Sequence, residues 1–103
     1  MGLRGKVEFP VLIYDGVVAS HCRAVEVSAT GIVLERGYAG VPQERRGSVR
    51  LELYLENAPR PIRVLARSVR WLGTQEAYKF TTIDDVDRLT LSEHLDLLAR
   101  AAG

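Results

Sequence analysis

The chain has 103 residues, 47% of them hydrophobic and 26% charged, with a formal net charge of +1. That is one domain's worth of polypeptide, apolar enough to close a modest core without staples and too ordinary in charge for a disordered segment. The near-neutral balance, with both signs in both halves, argues against a dedicated nucleic-acid binder.

Cys22 is the single cysteine, so no internal disulfide forms. On a strand its neighbour His21 would point to the opposite face, which makes the pair a poor metal site and leaves Cys22 as a buried structural thiol. No apolar run approaches the roughly 20 residues of a membrane helix. Residues 1–6 do not lead into a secretory apolar region, and Lys6 fails the myristoylation pattern. The expectation is a cytoplasmic protein with no membrane insertion.

Period-two patterning dominates up to Ile83. Val7, Phe9, Val11 and Ile13 form one apolar strand face, and Pro10 suggests an edge or a bulge. Asp15-Gly16 predicts a two-residue hairpin turn, with residues 17–27 as the returning arm. A tight turn is expected over Ser28-Ala29-Thr30-Gly31, followed by the strand Ile32-Val33-Leu34. Residues 36–47 form the longest loop, rich in Gly and carrying the charged run Glu44-Arg45-Arg46. Val49, Leu51, Leu53 and Leu55 mark a further strand, and Pro59 and Pro61 rigidify the turn after it. Ile62, Val64 and Ala66 continue the alternation. Near Ser68 the parity slips, and a bulge there would return Val69 and Trp71 to the core. A last strand is predicted around residues 77–82. Thr90-Leu91-Ser92-Glu93 has capping-box spacing, and Leu91, Leu95 and Leu98, widened by Leu97, form a helical stripe of about three turns. A shorter turn through residues 85–89 would precede it. Five or six strands and one amphipathic helix suggest an antiparallel barrel or curled sheet packed by the helix, in a single domain over residues 1–103.

Little in the chain suggests catalysis. His21 and His94 fall on elements of different type, and His94 is expected at the sheet's rim or in solvent. Walker, dinucleotide-glycine, serine-elbow and paired-cysteine motifs do not occur. Asp84, Asp85 and Asp87 lack the spacing of a calcium loop and read as solvated first-turn residues favoured by the helix dipole. The expectation is no enzyme, no catalytic residue, no metal and no cofactor.

The most informative segment runs from Glu26 to Leu34. Glu26 and Ser28 stand two apart at a strand end, with Gly31 three further on. A carboxylate can accept from two N–H donors, as on a guanine edge, a hydroxyl can donate or accept beside it, and glycine admits a close approach. The competing reading is a plain turn, in which Ser28 bonds its own backbone and Gly31 adopts positive φ.

These residues resemble the second motif of the PilZ domain, a bacterial module known for binding cyclic di-GMP: an Asp or Asn, any residue, Ser, two residues, Gly, then an apolar strand. Residues 61–71 are similar to that family's long strand, and Tyr78-Lys79-Phe80 to its closing strand. The resemblance covers nearly the whole chain and implies a six-stranded antiparallel PilZ-like split barrel with a C-terminal helix. The family's first motif, two arginines separated by three residues, is not matched. Arg4 is followed four residues on by Glu8, and Lys6 offers a point charge where a guanidinium would stack. Glu26 adds a methylene to the expected Asp or Asn. The resemblance therefore implies a bacterial signalling module with impaired or absent cyclic di-GMP binding, acting through an unidentified protein partner in motility, pilus or surface-behaviour control.

A weak or unconventional receptor for the dinucleotide is the second reading, with Arg4, Lys6, Glu26, Ser28 and Gly31 as its site. Arg63, Arg67 and Arg70 offer an anion-facing surface or an ordinary solvated strand face. A single-stranded nucleic-acid barrel would want aromatics on a basic face, whereas Phe9, Phe80 and Trp71 read as core. Tyr38, Tyr54 and the loop from Arg36 to Gly47 are candidate contact points.

Overall fold

The computed structural model describes residues 5–39, 47–56 and 58–102, with side chains for 7–39, 47–56 and 58–100. Alternating apolar residues build six strands: β1 (Gly5–Tyr14), β2 (Ala19–Val27), β3 (Gly31–Glu35), β4 (Val49–Leu53), β5 (Ile62–Leu72) and β6 (Gln75–Ile83). One helix, α1 (Asp85–Ala102), follows. The strands close in the order β1-β2-β3-β6-β5-β4, antiparallel throughout, with β4 pairing back onto β1. Closure pairs Val11–Tyr14 of β1 with β4 and so covers the edge that an open sheet would expose there. The inward set, including Val11, Ile13, Leu34, Leu51, Leu53, Ile62 and Val64, forms one core.

Pro10 is exposed on β1, at the point where the β1–β4 pairing ends. Its carbonyl accepts from Tyr54 N–H at 3.0 Å, just past the end of the β1–β4 ladder. A strand residue's nitrogen faces the same neighbour as its carbonyl, so the missing N–H falls where the pairing stops. An irregularity between Lys6 and Phe9 supplies the bulge.

The first hairpin differs from the two-residue expectation. Tyr14 pairs with Ala19, so residues 15–18 form the loop. Asp15 Oδ1 accepts from the N–H groups of both Val17 and Val18 at 2.9 Å, and Gly16 takes a φ of 101°. The Asp side chain replaces a strand ladder for two more residues, leaving Val17 and Val18 exposed.

A bulge does occur after Ser68, because Ser68 opposes Tyr78 while Arg70 opposes Ala77. Its effect is the reverse of the expectation. The extra residue is Val69, which is 56% exposed, and Trp71 is only partly buried, its ring 5.6 Å from that of Tyr38. Phe80 likewise packs at the core's margin.

The helix begins earlier than the capping-box spacing suggests. Asp84 carbonyl accepts from Arg88 N–H at 2.8 Å, and Thr90 lies inside the helix, donating its hydroxyl to Val86 carbonyl at 3.1 Å. Leu91 and Leu95 are buried and Leu98 partly so, whereas Leu97 is exposed. Asp87 is not a solvated first-turn residue. It is buried, accepting from Arg60 Nη2 at 3.3 Å and from Arg63 N–H at 3.4 Å, and so pins the helix to the start of β5. His94 lies half-buried, edge-on to Phe9 with 6.1 Å between ring centres, and burial lowers its pKa.

At the barrel end away from the helix, an interior acid escaped the sequence reading. Glu76 is fully buried opposite Leu34 and Trp71. Tyr78 hydroxyl donates to its Oε1 at 2.5 Å and Ser68 hydroxyl to its Oε2 at 2.6 Å. Arg36 Nη1 stands 3.7 Å from Oε1, while Arg36 Nη2 donates to Tyr38 hydroxyl at 3.1 Å. Cys22, half-buried, sits within the influence of this pair. Burial pushes its thiol up to about 11, Arg36 lowering and Glu76 raising it, and its Sγ is 3.5 Å from Val11 carbonyl.

Candidate functional site

The register sets one residue from each of five strands in one row. Lys6 faces Glu26, Glu26 faces Val33, Val33 faces Ala77, and Ala77 faces Arg70. Next to this row the β2–β3 turn closes a groove of about 290 Å³, lined by Glu26, Ser28, Thr30 and Gly31 on one side and by Val69, Arg70 and Lys79 on the other. The floor is small and apolar, from Val33 and Ala77. A planar ligand can lie on such a floor with polar groups at its ends.

Of the sequence-predicted residues, Glu26, Ser28 and Gly31 are brought together here. Arg4 lies outside the described residues, and of Lys6 only the backbone is described, directly across from Glu26. Ser28 is engaged in its own turn. Its hydroxyl accepts from Thr30 and Gly31 N–H groups, each at 3.2 Å, and lies 3.4 Å from Gly31 carbonyl, while Ser28 N–H donates to that carbonyl at 2.9 Å. Gly31 does not have positive φ; it is glycine because β6 crosses close by. A Cβ there would lie 2.6 Å from the backbone oxygen of Tyr78.

Glu8, four residues after Arg4, is ion-paired with Arg23 at 3.2 Å, both side chains exposed. Arg63 belongs elsewhere, paired with Glu52 at 3.6 Å. Tyr54 hydroxyl also donates to Glu52, at 2.9 Å. Arg70 and Lys79 do reach the groove; Lys79 escaped the sequence reading because its neighbours across β5 and β3 are fixed only by register. Tyr38 is half-exposed against Trp71, and residues 40–46 of the candidate contact loop lie outside the described residues. No group of three or more His, Cys, Asp or Glu suited to a metal occurs among the described residues. No helix among them is long and apolar enough to cross a membrane.

Solved structures share this architecture, among them the following two. The chain is similar to the Bacillus subtilis inhibitor of motility (MotI/DgrA), with a TM-score of 0.76 and 19% identity over 99% of this chain and 50% of that one. It thus spans about half the length of that neighbour. The PilZ domain of CeSA from a cellulose-synthesizing bacterium superposes with a TM-score of 0.66 and 14% identity over 93% of this chain and 97% of that domain. No family model and no curated protein matches the sequence. The fold is the PilZ-type barrel, six antiparallel strands closed on themselves with one C-terminal helix.

Proposed function

We propose that the chain is a non-catalytic PilZ-type regulatory module acting through contact with a protein partner, in motility, pilus or surface-behaviour control, with impaired or absent cyclic di-GMP binding. One observation carries the reading: Glu8, four residues after Arg4, stands where the family's motif has its second arginine, and its carboxylate is paired with Arg23. A guanidinium stacks on guanine and bonds it through two parallel N–H groups, and no carboxylate substitutes for that. Ser28 adds to the case, since its hydroxyl already serves the turn. Losing two charge-assisted contacts at roughly 1.5–3 kcal/mol each weakens binding by about two to four decades. The likeness to a motility inhibitor supports the regulatory assignment.

Calorimetric titration with cyclic di-GMP tests the reading. No saturable heat is expected from the natural chain at tens of micromolar, and the pair Glu8→Arg with Glu26→Asp should gain affinity. Tight binding by the natural chain, lost in Ser28→Ala, would overturn the proposal. It would favour the second reading, a weak or unconventional receptor built on Arg4, Lys6, Glu26, Ser28 and Gly31. The surviving groove, with Arg70 and Lys79 on its wall, is what keeps that second reading in play.

A further inference from the structure

Across β5 and β6 the barrel exposes cations that the fold itself leaves unmatched. Arg67 stands directly opposite Lys79, and Arg70 lies just beyond on β5; all three are exposed. Like charges directly opposite each other destabilise a strand pair. The other described strand cations are matched: Arg23 by Glu8, Arg63 by Glu52, and Arg50 by the ring of Tyr14 at 6.0 Å. Among the described residues, the side chains of Arg67, Arg70 and Lys79 have no ion pair, hydrogen bond or ring contact.

The bulge adds an apolar centre to this patch. The extra residue between Ser68 and Arg70 pushes Val69 out of the ladder, 56% exposed, among the three cations. Bulges re-aim side chains in this way, and an exposed apolar residue rimmed by one sign of charge fits a partner with the opposite sign around its own apolar group. Of the aromatics on β5 and β6, Tyr78 is buried, Phe80 is partly buried against the core and Trp71 is partly covered by Tyr38, so none offers an open platform for stacked bases. Glu26, at the far side of the groove, repels an anion that would extend there and confines the partner to β5 and β6.

We infer that the outer face formed by Arg67, Val69, Arg70 and Lys79 docks an acidic segment of a partner protein, Val69 meeting an apolar side chain and the cations its carboxylates. This rests on the protein-contact reading above and names the chemistry of the contact.

The probe is a short fluorescein-labelled peptide alternating glutamate with leucine, followed by fluorescence anisotropy at low and moderate salt. Neutralising the facing pair in R67Q/K79Q should weaken binding about tenfold, as two exposed charge pairs predict. R88Q/R100Q removes the same charge from α1 and should change it less than about twofold if those cations lie outside the contact. The R67Q/K79Q variant should also melt at a higher temperature, because a like-charge juxtaposition is relieved. Equal losses in both variants, no loss in R67Q/K79Q, a lower melting temperature for it, or tighter binding of a single-stranded oligonucleotide of the same charge would each overturn the inference. Lys79 borders both surfaces, so Arg67, which lies outside the groove lining, keeps the tests apart: peptide binding lost in R67Q and kept in Ser28→Ala reads β5 and β6, and failure there leaves the impaired-site reading standing.

Discussion

Gly31 shows how one residue can be rightly singled out for the wrong reason. Its spacing from Ser28 makes it conspicuous in the sequence, and a turn glycine invites an argument from positive φ. The structure assigns it a steric role: β6 passes so close that any Cβ meets the Tyr78 carbonyl. Gly31→Ala should therefore destabilise the domain by about 2 kcal/mol, the cost of forcing packed backbone apart, read as a lower urea midpoint. If backbone conformation were the constraint, φ at this position would lie in the left-handed region, and it does not. Ser28 was legible from the sequence as a turn residue, because its hydroxyl can reach backbone N–H groups only two and three residues on. The proximity of Tyr78 to Gly31 was not legible, because it depends on which strand pairs with β3.

At the scale of elements, local signals placed most strands and misplaced the start of the helix. Thr90 and Glu93 have the spacing of a cap, yet the residues before them continue the helical hydrogen bonds because Asp87 anchors the first turn to the barrel. Thr90→Ala should leave stability within about 0.5 kcal/mol of the natural chain, or raise it, since alanine is the better interior residue. Asp87→Ala should cost about 1.5 kcal/mol or more by orphaning Arg63 N–H and releasing Arg60. Thermal melts of the two variants separate the assignments: a true cap at Thr90 would give the larger loss there. The slip in parity at Ser68 was visible as a broken alternation, and a bulge follows from it. Whether the bulge turns Val69 inward or outward depends on which residue is left unpaired against Tyr78 and Ala77, a question of register that alternation does not answer.

At the scale of the whole molecule, the barrel interior carries charge at the end away from the helix. Glu76 and Arg36 hold one another there, with Tyr78 and Ser68 donating to the carboxylate. Burial and the hydrogen bond to Glu76 push the Tyr78 phenol up from its ordinary 10.0, and burial pushes Cys22 up from 9.0 to about 11. Both groups are raised in the folded state, so their neutral forms favour folding. That contribution is complete below pH 9.0 and is lost as pH rises, first through Cys22 towards about 11 and then through Tyr78 above 10.0. Urea midpoints should fall steadily above pH 9.0, and Cys22→Ser should flatten the first part of the decline. An unchanged midpoint up to pH 11 would contradict the placement of both groups.

What the sequence settled by itself is the type and order of the elements, five or six strands and then a helix. Side-chain alternation and helical periodicity are properties of neighbouring residues, and turn chemistry at Asp15, Ser28 and Pro59 acts within a few positions. It also settled that Glu8, and no arginine, follows Arg4. The tertiary structure alone decided closure of β4 onto β1, the burial of Glu76, the exposure of Val69 and the confrontation of Arg67 with Lys79. Each of these depends on which strands become neighbours and in what register, and that is set by packing among residues far apart in the chain.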